Sequence, residues 1–297
     1  MKKILVLILT FFISTAVNAD VSSQALNKVS EKISSTIGNL IPGEGITETS
    51  VELRDNNEGS GNYQFSILGV RDILSEENSN LFTQFSIHTQ EINKDNRIIG
   101  NLGIGYRFLN SDQSMMFGTN AFYDQDISED HMRVGFGLEA KASILDFNYN
   151  RYQKATNQLT INGNKEQTLS GNDYNVASQI PYMPWAVVNF NGYNWEGEFA
   201  SNDSKGDIYS LEMILTPSLQ IDVALDDSSL EGVDDRYSAK LIFVHPPKNT
   251  KPSLVDGFTT QEAFVKKNMQ AALKDKVKRN NNLAVEVQGT VVITQAP

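Results

Sequence analysis

Hydrophobic and polar residues alternate within strand-length segments of the stretch from Asn101 to Arg151. In the segment 101–108, apolar and aromatic side chains occupy the even positions, and small or polar ones occupy the odd positions. The segments 133–141 and 145–150 also alternate, with apolar side chains at the even positions of the first and the odd positions of the second. A two-residue period is typical of a β-strand with two unlike faces. Because the linkers are short and polar, we expect neighbouring strands to pair antiparallel.

The pattern extends over twelve strand candidates, which are 47–54, 63–72, 81–90, 98–108, 115–124, 132–141, 144–152, 174–180, 185–194, 208–216, 219–226 and 236–245. Most have the length of a tilted bilayer crossing. Some connections are tight, such as Thr216-Pro217-Ser218, and others are long and polar, such as 157–173, 197–207 and 227–235. Such a mixture is typical of outer-membrane barrels. The pattern predicts an all-β fold, a 12-stranded antiparallel transmembrane β-barrel over residues 47–245.

The N-terminal sequence MKKILVLILTFFISTAVNA has a basic start, a short apolar run and a small residue at the cleavage position. We interpret residues 1–19 as a signal peptide, with the mature chain starting at Asp20. Apolar residues at helical spacing then predict an amphipathic helix, followed by a linker, over residues 20–46 on the periplasmic side. Its stripe is Leu26, Val29, Ile33, Ile37 and Leu40.

After the last strand candidate the pattern changes. Pro246, Pro247 and Pro252 interrupt strand pairing, so 246–279 is predicted to be a proline linker and a pore helix. The helix is expected over 259–278, because Thr259-x-x-Glu262 resembles a capping box and apolar residues follow at helical spacing. Residues 280–297 are expected to be an extended tail without a passenger domain. The charged residues assigned to this pore helix are Glu262, Lys266, Lys267, Lys274, Lys278 and Arg279.

Charge is unevenly distributed over a chain whose formal net charge is −11. Residues 20–258 carry 17 basic against 33 acidic side chains, whereas 259–279 carry six basic against two acidic ones. Opposite charge on two segments favours their association, so we expect the basic segment to bind inside an acidic lumen. The distribution does not indicate nucleic-acid binding. The chain contains no cysteine, which excludes disulfides and thiol chemistry.

Several blocks resemble a known family, the β-barrel domain of inverse autotransporters, which are the type V translocators of intimin and invasin. The blocks are NLGIGYR (101–107), FGTNAFYDQD (117–126), RVGFGLEA (133–140), LDFNYN (145–150), LTPSLQIDVAL (215–225) and VKRNNNLAVE (277–286). The resemblance implies a periplasmic N-terminus, a helix and linker that pass through the pore, and a C-terminus at the cell surface. It also implies assembly partners, namely the barrel-assembly machinery and periplasmic chaperones, in addition to outer-membrane lipid.

Polar residues of the strands are predicted to face the lumen, and those singled out are Arg107, Asn120, Asp124, Arg133, Glu139, Lys141, Asp146 and Asp222. Asp124 and Asp126 could bind Ca²⁺, but pairing with Arg107, Arg133 or Lys141 is favoured because no complete ligand loop surrounds them. A serine hydrolase site on the barrel is the other chemical alternative, and no nucleophile motif supports it. We therefore predict no catalytic residue, cofactor or metal.

The leading hypothesis is a non-enzymatic outer-membrane translocator that anchors and exports a C-terminal segment. The alternative is a stand-alone plugged pore or structural envelope protein. A third hypothesis, a soluble periplasmic β-sandwich that binds a ligand, buries the apolar faces instead of exposing them to lipid. The sequence identifies no surface partner.

Overall fold

The computed structural model describes residues 20–38, 41–55, 62–200, 202–229 and 235–292. The predicted signal peptide and the last residues of the predicted tail lie outside these ranges. Within them, none of the helices is long and apolar enough to span a membrane.

A closed antiparallel barrel of 12 strands forms the body of the protein. The first seven strands are β1 Gly45–Arg54, β2 Asn62–Ser75, β3 Ser79–Ile92, β4 Asp95–Leu109, β5 Met115–Asp126, β6 Met132–Ala142 and β7 Leu145–Lys154. The other five are β10 Gly171–Ile180, β11 Met183–Trp195, β12 Ser204–Thr216, β13 Leu219–Ser228 and β14 Arg236–His245. Pairing between β1 and β14, with Thr47 opposite His245, closes the barrel. The prediction of a 12-stranded barrel is confirmed.

The two ends of the barrel differ. At one end, here called the turn end, the connections 76–78, 110–114, 143–144, 181–182 and 217–218 are at most five residues long. β1 begins and β14 finishes at this end. At the other end, the loop end, most connections are longer, and the one between β7 and β10 folds into two short strands, β8 Leu159–Ile161 and β9 Asn164–Thr168.

Side-chain orientation follows the predicted alternation. Along β4, Leu102 and Ile104 face outward and are 59% and 51% exposed, whereas Asn101 and Arg107 face the lumen and are buried. The inward-facing Gly105 makes room for an aromatic ring, because a Cβ atom built there would lie 2.4 Å from Cζ of Phe82. An apolar outer wall and a polar interior are what a membrane barrel requires.

A helix, α1 (Asp20–Gly38), packs at the turn end beneath β14, β1 and β12. Its contact face differs from the expected one. Ser30 Oγ lies 2.9 Å from Thr216 Oγ1, and Ser34 Oγ donates to the carbonyl oxygen of Val244, whereas Val29 and Ile33 of the apolar stripe are exposed. Serine is small, so its hydroxyl can approach the backbone at the barrel end more closely than a branched apolar side chain can.

The predicted helix over 259–278 is wrong in extent, since the only helical part is one turn, α2 (Met269–Ala272). Asn268 caps this turn, its Oδ1 accepting a hydrogen bond from the amide of Ala271. Earlier backbone groups bond to the barrel instead: Thr260 N donates to Tyr182 O, and Tyr182 N donates to Ala263 O. The β10–β11 turn thus satisfies backbone groups that a helix would otherwise pair internally. A 3₁₀ turn, Leu254–Asp256, precedes α2.

Candidate functional site: the linker inside the barrel

Residues 273–284, here called the linker, run through the lumen from the turn end to the loop end. At the turn end, Leu273 packs with Leu109 and Met116, and at the loop end, Leu283 packs with Ile92 and Ile99. The backbone between these points has no regular secondary structure. The barrel therefore encloses a segment of its own chain.

Arg107 of β4 binds the linker near its entry. The guanidinium makes two hydrogen bonds to the Glu139 carboxylate, at 3.1 and 2.9 Å, which fix its plane. Its Nη1 donates to the carbonyl oxygens of Leu273, at 3.1 Å, and of Asp275. The ring of Phe82 lies 4.3 Å from the guanidinium carbon, a cation–π contact. One wall residue thus satisfies two linker carbonyls that a helix would have paired.

Lysines that follow the barrel pair with carboxylates of the wall. The pairs are Lys248–Glu48 at 3.0 Å, Lys276–Glu48 at 2.7 Å, Lys267–Asp146 at 2.8 Å, Lys274–Asp72 at 2.6 Å, and Lys278–Glu212. Lys251 and Lys141 approach the linker's own Asp275, at 3.0 and 3.9 Å. The basic segment therefore neutralises acidic groups of the lumen, as the charge distribution predicts.

At mid-lumen, Arg279 binds Asp124 of β5. Nη1 and Nη2 of the guanidinium lie 2.9 and 2.6 Å from the two carboxylate oxygens. Arg133 and Asn101 donate to the same carboxylate, at 2.9 and 2.8 Å. The Phe122 ring lies 4.2 Å from the Arg279 guanidinium carbon. All of these side chains are screened from bulk water. In such a buried setting, arginine–carboxylate pairs with two hydrogen bonds are strong and geometrically specific.

Polar side chains of the wall bond to the linker backbone like a neighbouring strand. Gln90 makes two hydrogen bonds with Leu283, accepting from its amide at 2.9 Å and donating to its carbonyl at 2.8 Å. Gln84 accepts from the amide of Val277 at 2.7 Å. The Tyr152 hydroxyl accepts from the amide of Asn280 at 2.8 Å. These buried groups of the linker backbone are thereby paired without a partner strand.

Above the lumen, the linker continues into a small four-stranded sheet of order β16-β15-β9-β8, where β15 is Val285–Val287 and β16 is Thr290–Val292. β15 pairs antiparallel with β9, so the loop-end hairpin holds the exiting chain. The Glu286 carboxylate also accepts hydrogen bonds from the amides of Glu198 and Phe199, at 2.8 and 2.9 Å. The chain leaves the barrel fixed to two of its loops.

An ionic cluster holds this hairpin on the barrel. Glu166 of β9 binds Arg97 through two hydrogen bonds, at 2.7 and 2.8 Å, and His131 Nε2 lies 3.4 Å from it. Arg97 also contacts Asp126, at 3.3 Å. Burial raises the pKa of Glu166, but the neighbouring His131 and Arg97 outweigh it, so the pKa lies below its usual range.

Little space remains around the linker. A cavity of about 80 Å³ lies beside it at mid-lumen, where Asn191 and Glu212 form part of the wall. A larger cavity of about 520 Å³ lies at the turn end, lined by lysines and by carboxylates that pair with them. The described part of the chain therefore fills the middle of the barrel and leaves a polar vestibule at the turn end.

The structure places the sequence-predicted wall residues as follows. Arg107, Asn120, Asp124, Arg133, Glu139, Lys141 and Asp222 are buried and Asp146 is half-buried, on the strand faces that line the lumen. Asp124 and Asp126 face guanidinium groups rather than a ligand loop, and no metal-binding group of side chains occurs among the described residues. Of the predicted helix residues, Lys267, Lys274, Lys278 and Arg279 contact wall carboxylates without being helical, while Glu262 and Lys266 are exposed.

Other contacts were not anticipated. The rings of Phe82 and Phe122 lie inside the lumen among polar side chains. Phe122 lies on the same strand face as Asn120 and Asp124, so an aromatic ring interrupts an otherwise polar face. The sequence also contains a signal for the loop-end sheet, namely the dipeptides Asn162-Gly163 and Gln288-Gly289. In the structure, each adopts the two positive φ angles of a tight hairpin turn.

Comparison with known proteins agrees with this architecture. Residues 12–281 match the family described as inverse autotransporter, beta-domain. The chain is 28% identical to invasin of Yersinia enterocolitica over 141 residues, which are 46% of this chain and 16% of invasin. It is 26% identical to the inverse autotransporter adhesin YeeJ of Escherichia coli (strain K12) over 222 residues, which are 71% of this chain and 9% of YeeJ.

A solved structure from work on the in-meso crystallization of membrane proteins has the same fold. Its TM-score is 0.65 at 20% identity, and the match covers 82% of this chain and 99% of that one. The closed barrel, the threaded linker and the match over most of the sequence lead to one conclusion. The chain belongs to the inverse autotransporter β-domain family.

Proposed function

We propose that the chain is an outer-membrane translocator that anchors itself in the bilayer and carries a C-terminal segment to the cell surface. In this proposal the turn end and α1 face the periplasm, and the loop end faces the outside. The role is not enzymatic. The outer wall contacts lipid, and the barrel-assembly machinery and periplasmic chaperones assist insertion, as in the family it resembles.

The path of the linker supports this proposal. The chain leaves β14 at the turn end and reaches β15 at the loop end, so it passes through the barrel once. Residues before and after the passage contact opposite ends of the wall, Leu273 at one end and Leu283 at the other. Anything joined after the linker would therefore lie on the far side of the membrane from α1.

A second candidate function is a plugged pore or structural envelope barrel. The small space left at mid-lumen and the buried ionic contacts of Arg279 favour a linker that stays in place. Both functions share the threaded linker, but the plugged barrel carries no further segment through the pore, whereas the translocator does.

Surface labelling separates them. An epitope fused after Pro297 should bind antibody on intact cells, because the linker carries it through the barrel. The matched control is the same epitope inserted in the connection 110–114, which belongs to the turn end and should react only after the outer membrane is permeabilised. An insertion at the β8–β9 turn, Asn162-Gly163, should react on intact cells.

If the fused epitope reacts only after permeabilisation while the Asn162-Gly163 insertion reacts on intact cells, the export proposal is wrong and the plugged barrel remains. If the 110–114 insertion reacts on intact cells, the proposed orientation is wrong.

A further inference from the structure

Residues 253–264, here called the rim segment, run along the outside of the barrel at the turn end before the chain enters the lumen. Met213 and Ile221 lie on the same strand faces as the outward-pointing Tyr209 and Val223, yet they are only 6% and 7% exposed. Leu254 of the rim segment packs against the apolar cluster that contains them. This part of the outer wall is therefore covered by the chain itself.

Beyond Leu254, the rim segment is fixed to the wall by polar contacts. Trp185 Nε1 donates to the carbonyl oxygen of Phe258 at 2.8 Å, and the two rings lie 5.4 Å apart. Thr260 and Ala263 exchange backbone hydrogen bonds with Tyr182 in the β10–β11 turn, at 3.0 and 2.8 Å. The segment has a defined position on three neighbouring strands.

The side chains that it presents outward are apolar. Phe258 is 47% exposed and Phe264 is 38% exposed. The two adjacent turns also expose apolar residues, Tyr182 at 51% and Ile144 at 40%, and Leu145 at 50% continues this surface onto the outer wall. The gap between the turns is short, because Gln179 N donates to Ile144 O.

Toward its end the rim segment turns back to the lumen. Gln179 Nε2, which points inward, donates to Val265 O at 2.9 Å, and Lys267 Nζ reaches Asp146 at 2.8 Å. Phe264 therefore marks the last position at the outside before the chain crosses the rim.

We propose that the rim segment binds the bilayer at the boundary between headgroups and acyl chains, with Phe258 and Phe264 inserted. The occupant follows from continuity, because the exposed rings extend the apolar wall that faces lipid. Girdles of aromatic residues flank the apolar band of outer-membrane barrels at this depth, and burial of each exposed ring is favourable. The bilayer then holds the chain at the point where it passes from the outer wall into the pore. This inference rests on the membrane insertion in the proposed function.

Site-directed spin labelling tests it, and the absence of native cysteine allows single labels. The variants Phe258→Cys and Phe264→Cys carry the label in the full-length protein, reconstituted in phosphatidylethanolamine and phosphatidylglycerol vesicles. Collisions with oxygen, which partitions into the bilayer, are compared with collisions with a water-soluble nickel chelate. Glu262→Cys, exposed on the same segment, is the matched control, and Ile104→Cys reports the outer wall.

The oxygen-to-nickel collision ratio should be highest at position 104. At positions 258 and 264 it should be lower than at 104 but several-fold higher than at 262. A ratio at 264 equal to that at 262, with a high ratio at 104, would overturn the inference and leave the proposed function intact. A low ratio at 104 would mean that the barrel is not inserted, and the proposed function would then fail as well. If the variant at Phe258 fails to fold because of lost contact with Trp185, position 264 alone decides.

Discussion

Arg279 of the linker and Asp124 of the barrel wall form a two-bonded ion pair in which both side chains are at most 1% exposed. Arg133 binds the same carboxylate from β6, so one buried acid joins two strands and the linker. A buried charge that loses its partner is strongly destabilising, and a shifted linker would leave Arg279 unpaired. The pair therefore fixes which linker residue stands at mid-lumen.

Arg279→Gln should loosen the linker and leave the barrel closed. Hydrogen bonds to charged groups contribute on the order of 1.5–3 kcal/mol, and two are lost. Because about 1.4 kcal/mol corresponds to a factor of ten, we expect amides 277–283 to exchange with solvent roughly ten- to hundredfold faster, measured by hydrogen exchange with mass spectrometry. Lys274→Gln is the control, because the Lys274 side chain is 47% exposed and such pairs contribute about 0–1 kcal/mol. Equal effects of the two substitutions would contradict the central position of Arg279.

Lysine substitutions on the two faces of the barrel wall test which side chains face lipid and which face the lumen. Ile104→Lys places a charge in lipid and should destabilise the barrel by about 2–4 kcal/mol if the position lies near the midplane. Asn191→Lys places its charge at the mid-lumen cavity, whose wall also includes Glu212, and should be tolerated. Urea unfolding in vesicles gives both values, and a similar loss at both positions would contradict the assignment of faces.

The contact between Gly105 and Phe82 predicts a non-additive pair. Gly105→Val forces a side chain into the ring and should cost about 1–3 kcal/mol, whereas Phe82→Ala removes a buried ring and should cost about 3–5 kcal/mol. In the double variant the valine occupies the vacated space, so the total should be smaller than the sum. Additive costs in a double-mutant cycle would show that the two positions do not share this space.

Acid should loosen the loop-end hairpin. The pKa of Glu166 is lowered in the folded protein, so its contribution to stability is present above the unfolded pKa and is lost as the pH falls through the folded pKa. The groups that face Glu166 are Arg97 and His131, and Asp126 faces Arg97.

Hydrogen exchange of residues 285–287 below pH 4.5, corrected for the intrinsic pH dependence, should therefore show loss of protection. Glu166→Gln should show low protection already at neutral pH, with no further loss in acid. Unchanged protection of the native protein across this pH range would contradict the role of Glu166.

Strand positions and facing could be predicted from sequence because a pleated ribbon in two environments imposes a period of two, as along 101–108. The linker could not be predicted in the same way. Residues 259–278 carry helical spacing, but their backbone partners, such as Tyr182, Gln84 and Arg107, come from strands and a turn that are distant in the sequence. Phe122 shows a similar limit, because its inward ring is stabilised by the Arg279 guanidinium. Local pattern does not reveal such tertiary contacts.

Ion conductance tests whether the linker occupies the lumen. The full-length chain and a variant lacking residues 259–297 are inserted into planar bilayers under the same salt. The full-length protein should conduct poorly, because the mid-lumen cavity beside the linker is only about 80 Å³, and the deletion should open a stable channel of higher conductance. If both proteins insert and show the same single-channel conductance, the linker does not fill the barrel and the threaded structure is contradicted.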